Sequence, residues 1–557
     1  MLPSVAFVGA GPTTIYTLHA LICRATTPFV LTIFEEQAVA GRGTPYRPGW
    51  NDPAMLSNIA SIELPPLNET LVAWLERQPA DHLRTFGIDR RDIDDRAFYP
   101  RLALGEYLRD QFEATIERAR AKGIEVNVRT RCRVTDAINE EDGIRLSVTP
   151  KDGEAFEARF DHVVMATGHQ WPDAPEVRPG YFLSPWPAAA LSNIPPCNVG
   201  IRGSSLTAID AAVAVAVEHG DFVDGEERLD YQPAPGTDAF RITMMSRKGL
   251  LPEADFFHPI PYEPLAICTT EAIESLVADQ PDDLLERAFA LFKAELAHAD
   301  PAYADAVDLE HLDVEDFCDR FFAERMAADP FDWAERNLEE AKRNFETETT
   351  VPWRYAILRM HEAIEPIVPH LDEDAFARFS HYWKPVFVDD YATVPHESIE
   401  RMLALHRIGK LDLLALGDDY RIDSHRREGG ATLSLGGEDI HFPAFIEATG
   451  QRPLAAREFP FPSLRRQGII RDEPSSEDGP PRGIAIDDEF HPVSGELPKD
   501  RLFCLSLPYI LGRHPFSQGL TSSHEMGEIV GEELAKAIVG KVDEPPERDT
   551  VREAATS

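Results

Sequence analysis

The segment "VAFVGAGPTTIYTLHAL", from Val5 to Leu21, constrains the fold of this chain more than any other. An apolar run stops at Gly9-Ala10-Gly11, and a helical pattern begins directly after it. Strand, glycine turn and helix in this order form the first half of a βαβ unit whose turn holds a dinucleotide. Gly9 permits the tight turn. Gly11 lets the backbone approach a pyrophosphate, which then rests on the N-terminus of the helix. Thr14 stands where the third glycine is expected and is small enough to preserve strand–helix packing. The next apolar strand, "FVLTIFE", ends at Glu35, where an acid accepts from a ribose hydroxyl. Glu36 takes that role if the strand runs one residue further. The plain alternative is a structural turn with no ligand.

The same logic recurs in "NVGIRGSSLTAIDAAVAVAVEHG". Gly203, Ser204, Ser205 and Thr207 shape this second turn, with Ser205 and Ala208 replacing glycines, and Asp210 follows on the same helix. The next strand runs into Arg247 and Lys248, where the first unit has Glu35. A carboxylate there accepts from a free 2′-hydroxyl, whereas a guanidinium pairs with a 2′-phosphate. The first unit therefore suits FAD or NAD and the second NADPH; the alternative for Arg247 and Lys248 is a solvated turn. Two strands end in A-T-G, at Ala166-Thr167-Gly168 and Ala448-Thr449-Gly450, and complete a weak internal duplication.

Alternating strands and helices predict an α/β fold with two Rossmann-like domains and a mainly helical insert. The expected layout is an FAD-binding domain in two parts, 1–190 and 451–540. An NADPH-binding domain (196–269 and 386–450) lies between them and carries the helical insert 270–385. Residues 541–557 read as a disordered tail.

The 557 residues carry 55 basic and 96 acidic side chains, a formal net charge of −41. Such a charge repels nucleic acid and anionic membranes, and otherwise serves solubility. No apolar run reaches the roughly eighteen residues of a membrane span. The first strand starts at about Val5, which leaves no room for a signal peptide. None of the six cysteines forms a C-x-x-C pair, so neither a zinc site nor a dithiol centre is expected, and a reducing cytoplasm fits best.

These residues together resemble the flavoproteins with two dinucleotide-binding domains, in which an NAD(P)H domain is inserted into an FAD domain. The A-T-G strand ends resemble the paired connectors of that class. "SQGLTSSHEMGEIVGEEL" resembles its last FAD segment, with Gly519, Leu520 and Thr521 at the matching positions. More narrowly, "GRGTPY", "MLSNIAS", "YPRLALGEYL", "SPWP" and "SRKGLLP" resemble bacterial FAD/NAD(P)-binding proteins that include amino-acid N-hydroxylases, among them the aspartate N-monooxygenases that make nitrosuccinate. The resemblance implies that Arg42 and Gly43 lie along FAD and that Asn58 lies near the flavin or nicotinamide. It implies an NADPH- and O₂-dependent monooxygenase acting through a C4a-hydroperoxyflavin on an amine or amino acid, with aspartate as one candidate. No protein nucleophile is needed for that chemistry. An NADPH oxidase or dehydrogenase, or a non-catalytic flavin sensor, remains as an alternative. The expected partners are a small-molecule substrate and O₂, with room for a homo-oligomer.

If the substrate is a dicarboxylic amino acid, an arginine should clamp a carboxylate bidentately. Arg354 and Arg359 in the insert, and Arg101, are the candidates. Trp353, His361, Lys384, His396, His258 and His514 are weaker ones, with core packing or surface pairing as the plain alternative.

Overall fold

The computed structural model describes residues 2–171, 174–425, 427–474, 481–494, 497–517 and 519–543. Two parallel sheets organise them. In the first, the strand order is Leu502–Cys504, His162–Met165, Ser4–Val8, Val30–Phe34, Glu125–Arg129, with every neighbouring pair parallel. Ser4–Val8 and Val30–Phe34 are buried at nearly every position, as continuous apolar runs must be when helices cover both sheet faces. Pro12 starts the first helix (Pro12–Arg24), at a position that needs no backbone donor.

The second sheet has the order Leu411–Ala415, Arg241–Ser246, Asn198–Arg202, Ala444–Glu447, Tyr181–Phe182, Glu176–Arg178. Its pairs are parallel except the last. The internal duplication extends further than the motifs. A three-stranded antiparallel sheet (Cys132–Glu140, Gly143–Pro150, Phe156–Phe160) precedes the strand that ends in the first A-T-G. A second one (Tyr420–Asp423, Ala431–Leu435, Glu438–Phe442) precedes the strand that ends in the other.

The α/β class with a helical insert is the observed fold; three of the expected boundaries move. Glu176–Arg178 and Tyr181–Phe182 pair into the second sheet, so the crossover precedes 176 rather than following 190. Their brevity and their location in a proline-bearing stretch hid them from pattern reading. The helical region runs on through Lys384–Tyr391, whose Val386 and Phe387 belong to the insert's own core with Trp383 and Phe292. The closing helix spans Gly519–Asp543 and so takes in the start of the expected tail; 544–557 lie outside the described residues. That helix packs along the first one at very close range. A Cβ on Gly527 would stand 2.8 Å from the Thr17 amide nitrogen, and one on Gly531 2.6 Å from the Ala20 Cβ. Among the described residues, no helix is long and apolar enough to cross a membrane.

Candidate cofactor and substrate site

The two glycine turns dock in the same way. Gly9 has φ +101°, and a Cβ there would meet the Ala166 carbonyl oxygen at 2.2 Å. Gly203 has φ +134°, and its Cβ would meet the Ala448 carbonyl oxygen at 2.3 Å. Each turn thus lies directly on the A-T-G end of its own sheet, and only glycine allows that approach. Thr14 is fully buried and donates to the Gly9 carbonyl at 2.8 Å, so the residue replacing the third glycine ties the turn shut.

A cavity of about 630 Å³ runs from this turn and Glu35 past Arg42, Gly43, Thr167 and Gly168 to Gly519 and Leu520. The first helix opens onto it without a side-chain cap. The closing helix also begins at its wall, where Ser523 bonds Thr13 of the first helix at 3.1 Å. Unclaimed N–H groups at a helix start favour an anion. The Glu35 carboxylate accepts from the amides of Ala10 (3.0 Å) and Gln37 (2.8 Å). Burial raises its pKa, and those two N–H groups partly oppose the rise. Glu36 is exposed and lies 3.7 Å from Arg133, so the strand end gives Glu35, not Glu36, to the turn. Arg42 pairs with Glu106 and leaves a buried Nε with no hydrogen-bond partner. Thr167 bonds Ser506 through both its amide and its hydroxyl, fixing the first connector. An elongated cavity with an acid at one end, glycines and two helix starts along it, and an orphaned guanidinium nitrogen fits an FAD.

In the second unit Ser204 donates to Ser246 at 2.8 Å, and Ser205 precedes the helix Leu206–Ala216 with its hydroxyl free of any cap bond. Thr207 stands in the first turn of that helix. Arg247 is exposed beside this turn, and Thr449 and Gly450 are exposed at the end of the neighbouring strand. Lys248 instead lies 4.1 Å from the Phe322 ring of the helical region, and burial lowers its pKa. The two connectors touch through the Gln451 side chain, which donates to the Gln170 carbonyl at 3.3 Å.

A second cavity of about 330 Å³ shares Gly519 and Leu520 with the first. Asn58 and Thr521 line it from the first domain, Leu206 from the second, and His258 and His361 lie on its wall. The expected arginines do not. Arg101 bonds the Leu56 carbonyl and pairs with Asp210 at 2.6 Å, joining the two domains. Arg354 is buried against Glu253 (2.6 Å) and Asp390 (3.5 Å). Arg359 donates to the carbonyls of Tyr355, Glu263 and Pro264. Of the weaker candidates, Trp353 stacks on Tyr303, His396 bonds the Asp255 carbonyl, and His514 pairs with Glu365 at 2.7 Å. Lys384 feels Glu365, although burial lowers its pKa. What the sequence reading missed is the cavity's carboxylates: Glu63, Asp255, Glu362, Glu365, Asp390 and Glu525. They come from five segments, with only Glu362 and Glu365 neighbours in the chain, and no motif marks them.

Residues 6–170 match a family model described as FAD-NAD(P)-binding, and residues 269–391 match one described as the YdhS-like middle domain. The second match ends with the helix Lys384–Tyr391. The protein YdhS of Escherichia coli (strain K12) is 42% identical over 542 residues, covering 97% of this chain and 98% of that protein. Among solved structures, an ornithine N-hydroxylase from Kutzneria sp. 744 is similar over 97% of this chain and 100% of its own, at 14% identity and a TM-score of 0.49. A cadaverine monooxygenase from Erwinia amylovora is similar over 100% of this chain and 99% of its own, at 12% identity and a TM-score of 0.48. With 42% identity carried end to end, and with both an FAD-NAD(P)-binding domain and a YdhS-like middle domain in place, this chain belongs to the YdhS family.

Proposed function

We propose that this protein is an FAD- and NADPH-dependent monooxygenase that hydroxylates a nitrogen atom of a small amine. One observation supports the reading: the cavity at the first glycine turn shares Gly519 and Leu520 with a second chamber, which Leu206, at the helix start of the second domain, also lines. A cofactor site and a small-molecule chamber between two dinucleotide-binding units suit a reaction that joins both cofactors to a third reactant. In this reading Gly9, Gly11, Thr14, Glu35, Arg42, Gly43, Thr167, Gly168, Gly519, Leu520 and Thr521 hold FAD. Gly203, Ser204, Ser205, Thr207, Arg247, Lys248, Thr449 and Gly450 hold NADPH. Bound FAD, reduced by NADPH, supplies the two-electron activation of O₂.

The protein's own residues orient and enclose. Asn58, at the chamber wall beside Gly519 and Leu520, offers an amide that can donate or accept toward cofactor or substrate. Ile59, Ile62, Phe98 and Phe516 give the chamber apolar wall, which keeps bulk water from the reacting atoms. Overall, R–NH₂, O₂, NADPH and one proton give R–NHOH, NADP⁺ and water. No lysine or arginine is among the described residues that line the chamber, so the carboxylates of an acidic amino acid such as aspartate would face acids there. The six cysteines are all free thiols, in keeping with a cytoplasmic setting.

The test supplies isotopically labelled O₂ and NADPH with a panel of amines and amino acids. The expected product carries one labelled oxygen on nitrogen. NADPH consumption that returns all oxygen as peroxide with every compound would make the protein an oxidase instead.

A further inference from the structure

We infer that the 330 Å³ chamber is a binding site for a small organic diamine, held as a dication and carrying no carboxylate of its own. The inference rests on the monooxygenase reading and names its substrate class. Six carboxylates line the chamber and no lysine or arginine does so among the described residues. Neighbouring cations offset part of that charge: Lys384 acts on Glu365, and Arg354 on Asp255. His514 covers one oxygen of Glu365 at 2.7 Å. His258 approaches Glu63 at 3.4 Å. Behind the wall, the guanidinium groups of Arg325 and Arg354 pair with Glu253, Asp389 and Asp390, and burial pushes both aspartates up, so this cluster supplies the chamber with no surplus cation.

One buried group points to a missing partner. His258 is 4% exposed, and its Nε2, 3.4 Å from Glu63, has no hydrogen bond. Asp390, 1% exposed, also lines the chamber, but it faces the Arg354 Nε at 3.5 Å, and burial pushes its pKa up. Leaving a buried polar group such as the His258 Nε2 unsatisfied is costly. A ligand with ammonium donors removes that cost, and one with a carboxylate adds to it.

The carboxylates fall into two sets, which is why a dication is preferred to a monoamine. Glu63 and Asp255 interact with one another, and burial and then Glu63 push the Asp255 pKa up. Glu362 and Glu365 face Glu525 on the closing helix. Enclosure, then those two charges, push Glu525 up to about 7. Tyr262 lines the chamber within the field of Glu63, Glu362 and Asp255. With Phe256 and Phe516 it gives the chamber aromatic faces, against which a cation and its methylenes pack well. The volume lies at the low end of ligand cavities, which suits a short chain rather than a bulky base.

The experiment is calorimetric titration of the purified, FAD-loaded protein with putrescine, with butylamine and aspartate as comparators, at low and high salt. Saturable putrescine binding is expected, at least tenfold tighter than butylamine, weakened by salt, with no heat from aspartate. Glu362→Gln and Glu525→Gln should each weaken it by about tenfold or more. Two separate variants with the flavin spectrum retained guard against a fold effect. Absent putrescine binding, affinity equal to that of butylamine, or binding indifferent to both substitutions would overturn the inference. Its failure is separable from that of the monooxygenase reading. Putrescine that binds as expected but is never oxygenated refutes the reaction and leaves the site. Labelled oxygen appearing on aspartate, with no putrescine binding, leaves the reaction and refutes the site.

Discussion

At the scale of single residues, the first glycine turn separates packing from ligand binding. Gly9 cannot carry a side chain at all, because its Cβ would overlap the Ala166 carbonyl. Gly11 can: its Cβ would lie 3.4 Å from the Gly43 Cα, an ordinary contact, and its φ is not in the left-handed region. A valine at Gly11 therefore fills the cofactor cavity without breaking the turn. Gly11→Val is expected to purify without flavin while its apparent Tm stays close to that of wild-type protein stripped of flavin. Stoichiometric flavin in the variant would remove Gly11 from the pyrophosphate site. The tight turn at Gly9 was legible in the sequence, because the turn's chemistry is local; the bond from the Thr14 hydroxyl to the Gly9 carbonyl was not, since Thr14 read only as a small packing residue. Glu35 was legible only together with Glu36, and the choice needed the observed strand end. The acids of the chamber were not legible. Glu63, Asp255, Glu362 and Glu525 share no element, and only the closing of two domains on the helical region assembles them.

At the scale of elements, the Arg101–Asp210 pair joins the helix Arg101–Ala121 of the first domain to the helix Leu206–Ala216 of the second. Burial raises Asp210 to about 6, and Arg101 opposes the rise. The folded pKa lies above the unfolded one, so the folded protein keeps this proton where the unfolded chain has lost it. Stability from this site is therefore greatest at low pH and falls as pH rises from about 4 to about 6. The loss amounts to about 3 kcal/mol for a shift of roughly two units. Asp210→Asn should flatten that part of the stability–pH curve and be no less stable than wild type at neutral pH. It should also slow NADPH-dependent flavin reduction, because the ionic clamp between the domains is gone. A variant with an unchanged stability profile, or with unchanged reduction, would contradict the respective half of this account. Helices were legible through the insert because their apolar faces repeat with helical period. The two short strands after the first connector were not, since three residues of sheet carry no readable period.

At the scale of the whole molecule, the net charge of −41 and the acid-lined chamber point the same way. A negative surface draws cations from solution, and the chamber concentrates them where the two domains and the helical region meet. The duplication gives the chain two dinucleotide units of one design, distinguished at the strand end by Glu35 in one and Arg247 in the other. We propose that the first unit holds an FAD which accepts a hydride from NADPH bound at the second. The most direct test is to purify the protein, confirm bound flavin, and mix it anaerobically with NADPH or NADH while following the flavin absorbance. The account predicts rapid bleaching with NADPH, a preference for NADPH over NADH of about tenfold or more, and loss of that preference in Arg247→Ala. Protein that binds no flavin, or flavin that NADPH leaves oxidised, would contradict it.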